Sequence, residues 1–134
     1  MPSNQHLNPE GLSRPTGYTH VVSVEGARKL VFISGQVSLN SAGEVVGRGD
    51  LGTQARQVFQ NLEAALKAAG ASFADVTKMT TFIVNYKPED RDVIRAARAA
   101  YLPADAPPAS TLVGVQSLAV ADFMIEIEAV AAIA

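Results

Sequence analysis

The sequence predicts an α+β domain in which two helices cover one face of a β-sheet. Three observations support this class: one long amphipathic segment between residues 51 and 69, five short runs rich in β-branched or apolar residues, and a second helical segment that starts near residue 88. The segments follow the order ββαβαββ. Residues 1–134 suit one domain and contain no internal repeat.

The composition excludes several classes of protein. Of the 134 residues, 48% are hydrophobic and 18% are charged, which is not a disordered composition. The net charge of −2 gives no basic field for nucleic acid, and the absence of cysteine excludes disulfides, thiolate metal sites and a thiol nucleophile. No secretory signal is visible, and no stretch approaches the roughly 18 apolar residues of a membrane span. We therefore expect a soluble cytoplasmic protein without a membrane partner.

The first third of the chain predicts a hairpin and a loop. Residues 1–16 are polar and are expected to be an irregular lead-in. The β-branched runs at 19–24 and 29–33 flank a turn signal at 25–27 and together suggest a β-hairpin. Ser-Gly-Gln at 34–36 ends the second strand, where glycine permits close backbone approach. The glycine-rich segment 40–50 is predicted to be a loop.

The clearest element is a long helix. Its apolar positions fall at i, i+4, i+7, i+8, i+11, i+14, i+15 and i+18, which is one face of an α-helix; they are Leu51, Ala55, Val58, Phe59, Leu62, Ala65, Leu66 and Ala69. Asp50 or Thr53 is suited to cap its start. Gly70 stands where a glycine commonly follows a helix end.

The second half predicts a strand, a helix and two more strands. Residues 76–84 are rich in Thr, Phe, Ile and Val and suit a sheet. Pro-Glu-Asp at 88–90 is predicted to open a second helix, because the helix dipole favours acidic residues in the first turn. Pro103 is expected to end this helix. Residues 110–115 and 123–133 are the last strands.

The final strand predicts an oligomer. It carries Ile125, Ile127 and Ala129 on one side and Met124 and Val130 on the other, so both sides are apolar or small. Two helices can cover only one face of the sheet. An uncovered face of this character needs a partner, so we expect the chain to self-associate.

Two carboxylates on the final strand are candidates for chemistry. Glu126 and Glu128 lie two residues apart, so they share one face at a separation of roughly 7 Å. One of them is suited to activate water or carry a proton. The alternative is a salt bridge or an oligomer contact, and the spacing alone does not decide between them.

The other polar candidates have ordinary structural interpretations beside the functional one. The hydroxyl of Tyr18 is placed to line a pocket or to reach solvent, whereas His20 and the distant His6 form no metal motif. Ser110 and Thr111 lack the surroundings of a serine hydrolase nucleophile.

A cationic stripe lies on the second helix. Arg91, Arg95 and Arg98 stand at i, i+4 and i+7, so they share one side of that helix. Such a stripe is usually a solvated face paired with nearby acids such as Asp92. The functional alternative is an anion site at a subunit boundary.

An ordered set of short segments carries a family resemblance: Gly-Tyr at 17–18, Ser-Gly-Gln at 34–36, Gln-Ala-Arg-Gln at 54–57, Pro-Ala at 108–109 and Ile-Glu-Ile-Glu-Ala at 125–129. The set resembles the Rid/YjgF family of reactive-intermediate deaminases, which includes proteins described as endoribonuclease L-PSP-like. The resemblance covers residues 18 to 131. It implies a chorismate-mutase-like fold that forms homotrimers with clefts between subunits.

The resemblance also implies a reaction and a set of site residues. Family members that act on 2-aminoacrylate and related imines release a 2-keto acid and ammonia, with no metal and no cofactor. By alignment, Glu126 and Gly35 take the catalytic positions, and Tyr18, Ser110 and Leu112 take substrate-binding positions. Most of these deaminases carry arginine where this chain has Ser110, and often cysteine where it has Leu112.

The missing arginine separates three interpretations. Arginine grips a carboxylate through two charge-assisted hydrogen bonds, whereas serine offers one neutral hydroxyl, a loss that typically costs several kcal/mol. The protein is then a deaminase whose substrate recognition does not need that carboxylate, a deaminase with a displaced cation such as Arg95 or Arg14, or a non-catalytic metabolite-binding trimer. We expect an imine or enamine hydrolase for a small metabolite other than 2-aminoacrylate, and the net acidity and sparse aromatic residues argue against nucleic acid.

Overall fold

A computed structural model describes residues 3–134, with the side chains described from residue 4 onwards. The described elements are, in chain order, β1 Ser3–Leu7, β2 Val21–Glu25, β3 Lys29–Gln36, α1 Leu51–Ala68, β4 Val76–Val84, α2 Asp90–Arg98, β5 Ala109–Val115 and β6 Ile125–Ile133. A short 3₁₀ turn, Phe73–Asp75, precedes β4. The predicted α+β class and the order from β2 onwards are confirmed.

The expected irregular lead-in is wrong at its start, because Ser3–Leu7 forms β1. Residues 1 and 2 of that segment lie outside the described part of the chain. The pattern of β1 is polar, so its strand character comes from pairing with β2 and not from alternation of its own side chains.

The predicted hairpin between the next two strands is also wrong. β2 pairs with β1 in a two-stranded sheet, while β3 joins a four-stranded sheet of order β3-β6-β4-β5. Gly26 turns the chain at a φ of +64°, and the backbone N–H of Arg28 then donates to the carbonyl of Ile133 at 2.9 Å. As a result, β3 begins beside the end of β6. In the larger sheet β4 and β5 are parallel and the other neighbours are antiparallel.

The hydrophobic core lies between α1 and one face of the four-stranded sheet. Alternate residues of the strands supply that face, and the apolar stripe of α1 packs on it; the buried members include Val58, Phe59, Leu62 and Leu66 of α1, Met79 and Ile83 of β4, and Ile125, Ile127 and Ala129 of β6. Burying a large apolar side chain contributes roughly 1.5–3 kcal/mol, so this layer is the main source of stability.

Both ends of α1 are capped as expected. The side chain of Asp50, and not that of Thr53, accepts the first-turn bond, from the backbone N–H of Thr53 at 3.1 Å. That bond and a second one from the Thr53 hydroxyl lower the pKa of Asp50. Gly70 follows the helix end at a φ of +77°, a conformation that favours glycine. The other helix, α2, ends at Arg98, before the expected stop at Pro103.

A buried amide fixes the start of α1 to the loop before β6. The Gln54 side chain is fully buried and donates to the carbonyls of Gly47 at 3.1 Å and Asp122 at 2.9 Å. It also accepts from the backbone N–H of Met124 at 2.9 Å. These three bonds hold the loop that leads into β6, and therefore the register of the strand that carries Glu126.

The second face of the four-stranded sheet is uncovered in the chain, as predicted. On β3, Leu30 and Phe32 are 57% and 75% exposed, whereas the alternating Val31 and Ile33 are buried against α1. Phe32 pairs with Val130 of β6, so the apolar surface continues across the sheet. An exposed face of this kind favours contact with another protein surface.

Candidate functional site

A cavity of about 250 Å³ lies between α2, the start of β5 and the segment before β2. Four residues that the sequence proposed for substrate binding line it: Tyr18, Arg95, Ser110 and Leu112. We call them the cavity group. The other lining residues are Thr16, Tyr86, Arg91, Ile94 and Arg98. Arg14, the other proposed displaced cation, is exposed and does not line this cavity.

Strand register and two hydrogen bonds assemble the cavity group. Ser110 and Leu112 stand two residues apart on β5, so both point to the same side of the sheet, towards α2. The segment that carries Tyr18 is tied to the start of this strand through Thr19. The backbone N–H of Thr19 donates to the carbonyl of Pro108 at 3.2 Å, and the buried Thr19 hydroxyl donates to the carbonyl of Pro107 at 2.6 Å.

The cationic stripe of α2 faces this cavity. Arg91 donates to the Thr16 hydroxyl at 3.1 Å, Arg95 donates to the Thr16 carbonyl at 3.1 Å, and Arg98 donates to the Gly17 carbonyl at 2.8 Å. We call Arg91, Arg95 and Arg98 the arginine cluster. Within residues 3–134 none of the three forms a salt bridge, so the expected pairing with acids such as Asp92 is wrong.

The environment of Arg98 is unfavourable to its positive charge. Burial lowers the pKa of Arg98, and the neighbouring charge of Arg95 lowers it further. An arginine guanidinium nevertheless stays protonated in proteins. The hydroxyl and the two carbonyl groups that accept hydrogen bonds from the arginine cluster are neutral, so they orient the guanidinium groups without cancelling their charge.

The two proposed catalytic residues lie together at a different place. Gly35 sits at an irregularity in the pairing of β3 with β6, between Ile33 and Gln36. A Cβ atom built on Gly35 would lie 2.7 Å from Cδ and 2.8 Å from Cγ of Glu126. The Glu126 side chain therefore packs directly on the Gly35 backbone, in space that a larger residue would occupy. We call Gly35 and Glu126 the sheet-face pair.

Glu126 is half-buried, and no lysine, arginine or histidine among the described residues forms an ion pair with it. Its neighbour Glu128 is exposed on the same face of β6. Of the two carboxylates, Glu126 is the one in a restricted environment, and the salt-bridge alternative has no support for either of them in the part of the chain that the structure describes.

The register places the cavity group and the sheet-face pair on opposite faces of the sheet. Ser110 stands opposite Met79, which stands opposite Ala129 on β6. Glu126 is three residues from Ala129, and successive residues of a strand alternate between faces. Within one chain, the six predicted site residues therefore form two separate groups.

His20 packs against a residue that lines the cavity, and three further residues line the cavity themselves. The ring of His20 bonds to the carbonyl of Ser13 at 2.6 Å and packs edge-on against Tyr18, with ring centroids 5.1 Å apart, which is a structural role. Sequence reasoning did not assign Thr16, Tyr86 or Ile94 to the site. They come from three separate segments, so no spacing along the chain signals them.

Residues 3–134 contain no group of three or more His, Cys, Asp or Glu side chains that suits a metal ion. No helix in the same range is both long and apolar enough to cross a membrane.

This architecture is a small α+β domain with an arginine-lined cavity on the helix side of its sheet and a carboxylate on the open side. The family model described as Endoribonuclease L-PSP matches residues 11–133. A RutC family protein of Pyrococcus horikoshii is 36% identical over 124 residues, which cover 91% of this chain and 92% of that protein. The chain belongs to this family, which includes the Rid and YjgF proteins.

Two solved structures and one further relative are also similar to this chain. The conserved Rid family protein YyfB of Yersinia pestis, described as of unknown function, has a TM-score of 0.90 and 38% identity over 97% of this chain and 98% of its own. RidA of the Antarctic bacterium Psychrobacter has a TM-score of 0.69 and 30% identity, covering 90% and 92%. A 2-iminobutanoate/2-iminopropanoate deaminase of Dermatophagoides farinae is 33% identical over 61% of this chain and 64% of that protein.

Proposed function

We propose that the protein is a Rid-type hydrolase that converts the C=N group of a small imine, or of an enamine after tautomerisation, to a carbonyl group and ammonia. The observation that carries the proposal is the packing of the Glu126 carboxylate on the Gly35 backbone, without a cationic side chain paired to it in the described part of the chain. The similarity to a relative named as an imine deaminase supports the same reaction class.

In the proposed reaction Glu126 is the general base. It accepts a proton from a water molecule as the water oxygen bonds to the imine carbon, and the electron pair of the C=N bond moves to the nitrogen, which takes up a proton. In the resulting carbinolamine the Glu126 carboxylate takes the hydroxyl proton as the C=O bond forms and the C–N bond breaks, and this proton passes to the amino nitrogen, which leaves as ammonia. One water is consumed and one ammonia is formed, so the reaction balances without an oxidant or a reductant.

The proposed site needs a second copy of the chain, because the cavity group and the sheet-face pair lie on opposite faces of one sheet. We propose a homotrimer in which the open sheet faces meet and the sheet-face pair of one subunit approaches the cavity group of its neighbour. The exposed Leu30 and Phe32 support this arrangement, because burial of such side chains drives association.

The substrate is proposed to differ from 2-aminoacrylate. Ser110 supplies a neutral hydroxyl at the position where the related deaminases carry a cation, so a small carboxylate loses its charged partner there. The cations nearest to Ser110 in the cavity belong to α2, with Arg95 in the role of the displaced cation.

A second candidate is a non-catalytic metabolite-binding trimer. The observation that favours it is the lining of the cavity, which contains hydroxyl, guanidinium and apolar groups but no carboxylate or histidine. If the sheet-face pair of a neighbour does not reach this cavity, the cavity binds a ligand and has no base. A cytoplasmic location and the absence of a nucleic-acid partner stay predictions.

The test measures ammonia release from a panel of imines generated by an amino-acid oxidase. We expect release above the buffer rate, and we expect Glu126→Gln to lower kcat/KM by about 100-fold or more, which is the usual size of a general-base contribution. Glu128→Gln is the matched control because it lies exposed on the same strand and face, and its rate should stay within about twofold of wild type.

The outcomes separate the two functions. Ammonia release at the buffer rate with every imine, together with thermal stabilisation by a ligand, would establish the binding protein and reject the hydrolase. Equal losses in Glu126→Gln and Glu128→Gln would reject the assignment of the base.

A further inference from the structure

The arginine cluster concentrates positive charge in the cavity without an acidic partner. Its three guanidinium groups line one cavity, and no carboxylate of residues 3–134 lies within salt-bridge distance of any of them. The acids at the start of α2 form no ion pair with the cluster; Asp90, for example, accepts a bond from the backbone N–H of Lys87 at 2.9 Å. Three unpaired guanidinium groups on one cavity wall favour an anion there.

The guanidinium groups are also held in position before any ligand arrives. Each donates one hydrogen bond to Thr16 or Gly17, and a guanidinium has five N–H donors, so most donors of the cluster stay available. Side chains that are fixed in this way lose less freedom when they bind an anion. The bonds to Thr16 and Gly17 therefore orient the cluster in addition to anchoring the chain before β2.

The number of cations indicates the charge of the ligand. A single arginine suffices for one carboxylate, through two parallel bonds. Three arginines at i, i+4 and i+7 repel one another, and Arg98 carries an additional penalty from burial. A ligand with two negative charges offsets this repulsion more completely than a monocarboxylate does.

We infer that the arginine cluster binds a dianionic group, either a phosphate monoester or a dicarboxylate, with the hydroxyls of Ser110 and Tyr18 as neutral hydrogen-bonding partners. The two ligand types share a double negative charge carried by oxygens that accept hydrogen bonds, which is the chemistry that several guanidinium groups recognise. The cavity volume of about 250 Å³ in one chain suits a small metabolite. This inference rests on the proposed function only for the imine part of the substrate.

The first experiment titrates the full-length protein with inorganic phosphate, succinate or acetate at constant ionic strength, and measures Tm and heats of binding. We expect phosphate or succinate to raise Tm and to bind at least tenfold more tightly than acetate. Tighter binding of phosphate would identify the phosphate monoester as the ligand class, and tighter binding of succinate would identify the dicarboxylate. Equal, weak effects of all three anions would overturn the inference.

The second experiment removes the cations one at a time. Arg95→Gln and Arg98→Gln should each weaken binding of the preferred dianion by about tenfold or more, the usual effect of losing one charge-assisted hydrogen bond. Arg14→Gln is the matched control, because Arg14 is exposed and lies outside the cavity lining, and its affinity should be unchanged. If Arg98→Gln fails to fold, Arg95→Gln and Arg91→Gln, which replace exposed side chains, carry the test.

Failure of this inference differs from failure of the proposed function. Turnover of monoanionic imines without any preference for dianions would reject the dianion site and leave the hydrolase standing. Dianion binding that depends on the arginine cluster, without turnover of any imine, would support the site and reject the hydrolase. Unchanged affinity in folded Arg95→Gln and Arg98→Gln variants would also reject the site.

Discussion

Replacement of Gly35 by alanine tests the contact between the sheet-face pair. The added Cβ would lie 2.7 Å from Cδ and 2.8 Å from Cγ of Glu126, whereas carbon atoms in contact are normally separated by about 3.5–4.0 Å. Oε2 of Glu126 is closer still to the added Cβ, so relief of this overlap requires the carboxylate to move by roughly 1 Å or more. A misplacement of that size in a catalytic group is able to lower the rate by about 100-fold.

The same replacement has a limited effect on stability. Overpacking of this kind costs about 1–3 kcal/mol, and the end of the Glu126 side chain is free to move towards the open face, so we expect a value near the lower limit. For a chain of this length, 1 kcal/mol corresponds to a fall in Tm of about 3–5 °C. Activity should therefore fall far more than stability does.

Two further variants isolate the cause. Gly11→Ala is the control, because a Cβ at that position meets no atom within 4 Å, and it should leave both activity and Tm unchanged. In the Gly35→Ala/Glu126→Ala double variant the overlap is removed, so the loss in Tm caused by Gly35→Ala should disappear. Full imine hydrolysis in a folded Gly35→Ala variant would refute the assignment of Glu126 as the base.

Four other predictions concern the cavity, the core, the open face and the helix cap. Ser110→Arg should raise kcat/KM for 2-aminoacrylate by about tenfold in a keto-acid assay with folding confirmed by thermal melt, and a folded but inactive variant favours the binding protein. Gln54→Leu should lower the free energy of unfolding by about 2–4 kcal/mol in denaturant unfolding, because two carbonyls and one N–H lose their buried partner. A loss below about 1 kcal/mol would contradict the role of Gln54 in holding the loop before β6. Light scattering should give the wild type a mass of about 42 kDa, which is three chains of 14.1 kDa, and Phe32→Glu should give a folded monomer because a charge replaces an exposed apolar side chain of the open face. A wild-type monomer at micromolar concentration would reject the trimer. Asp50→Ala should lower Tm at neutral pH, because the stabilisation by the Asp50 carboxylate is complete above its ordinary pKa of 3.8. This stabilisation is lost as pH falls through the lowered pKa of the folded state, so the Tm values of wild type and variant should converge in strong acid.

The sequence alone determined the elements whose signal is local. The spacing of apolar residues predicted α1, and its cap at Asp50 and the glycine after its end follow from the same few residues. Strand β4 matches its predicted limits because a run of β-branched residues between a turn and a proline marks where the strand begins and ends. The apolar character of β6 on both sides also predicted an uncovered sheet face, since alternation along a strand is a local property.

Only the tertiary structure decided which strands pair and which side chains meet. Ser3–Leu7 becomes a strand through its partner β2, and β3 joins β6 because backbone bonds from a distant segment fix its position. The cavity brings α2, β5 and the segment before β2 together, and the register of β4 and β5 sets Ser110 and Glu126 on opposite faces. Sequence periodicity specifies which face of each element is apolar, but register and the pairing of distant segments depend on the packing of the whole chain. The separation of the site residues into two groups was therefore visible only in three dimensions.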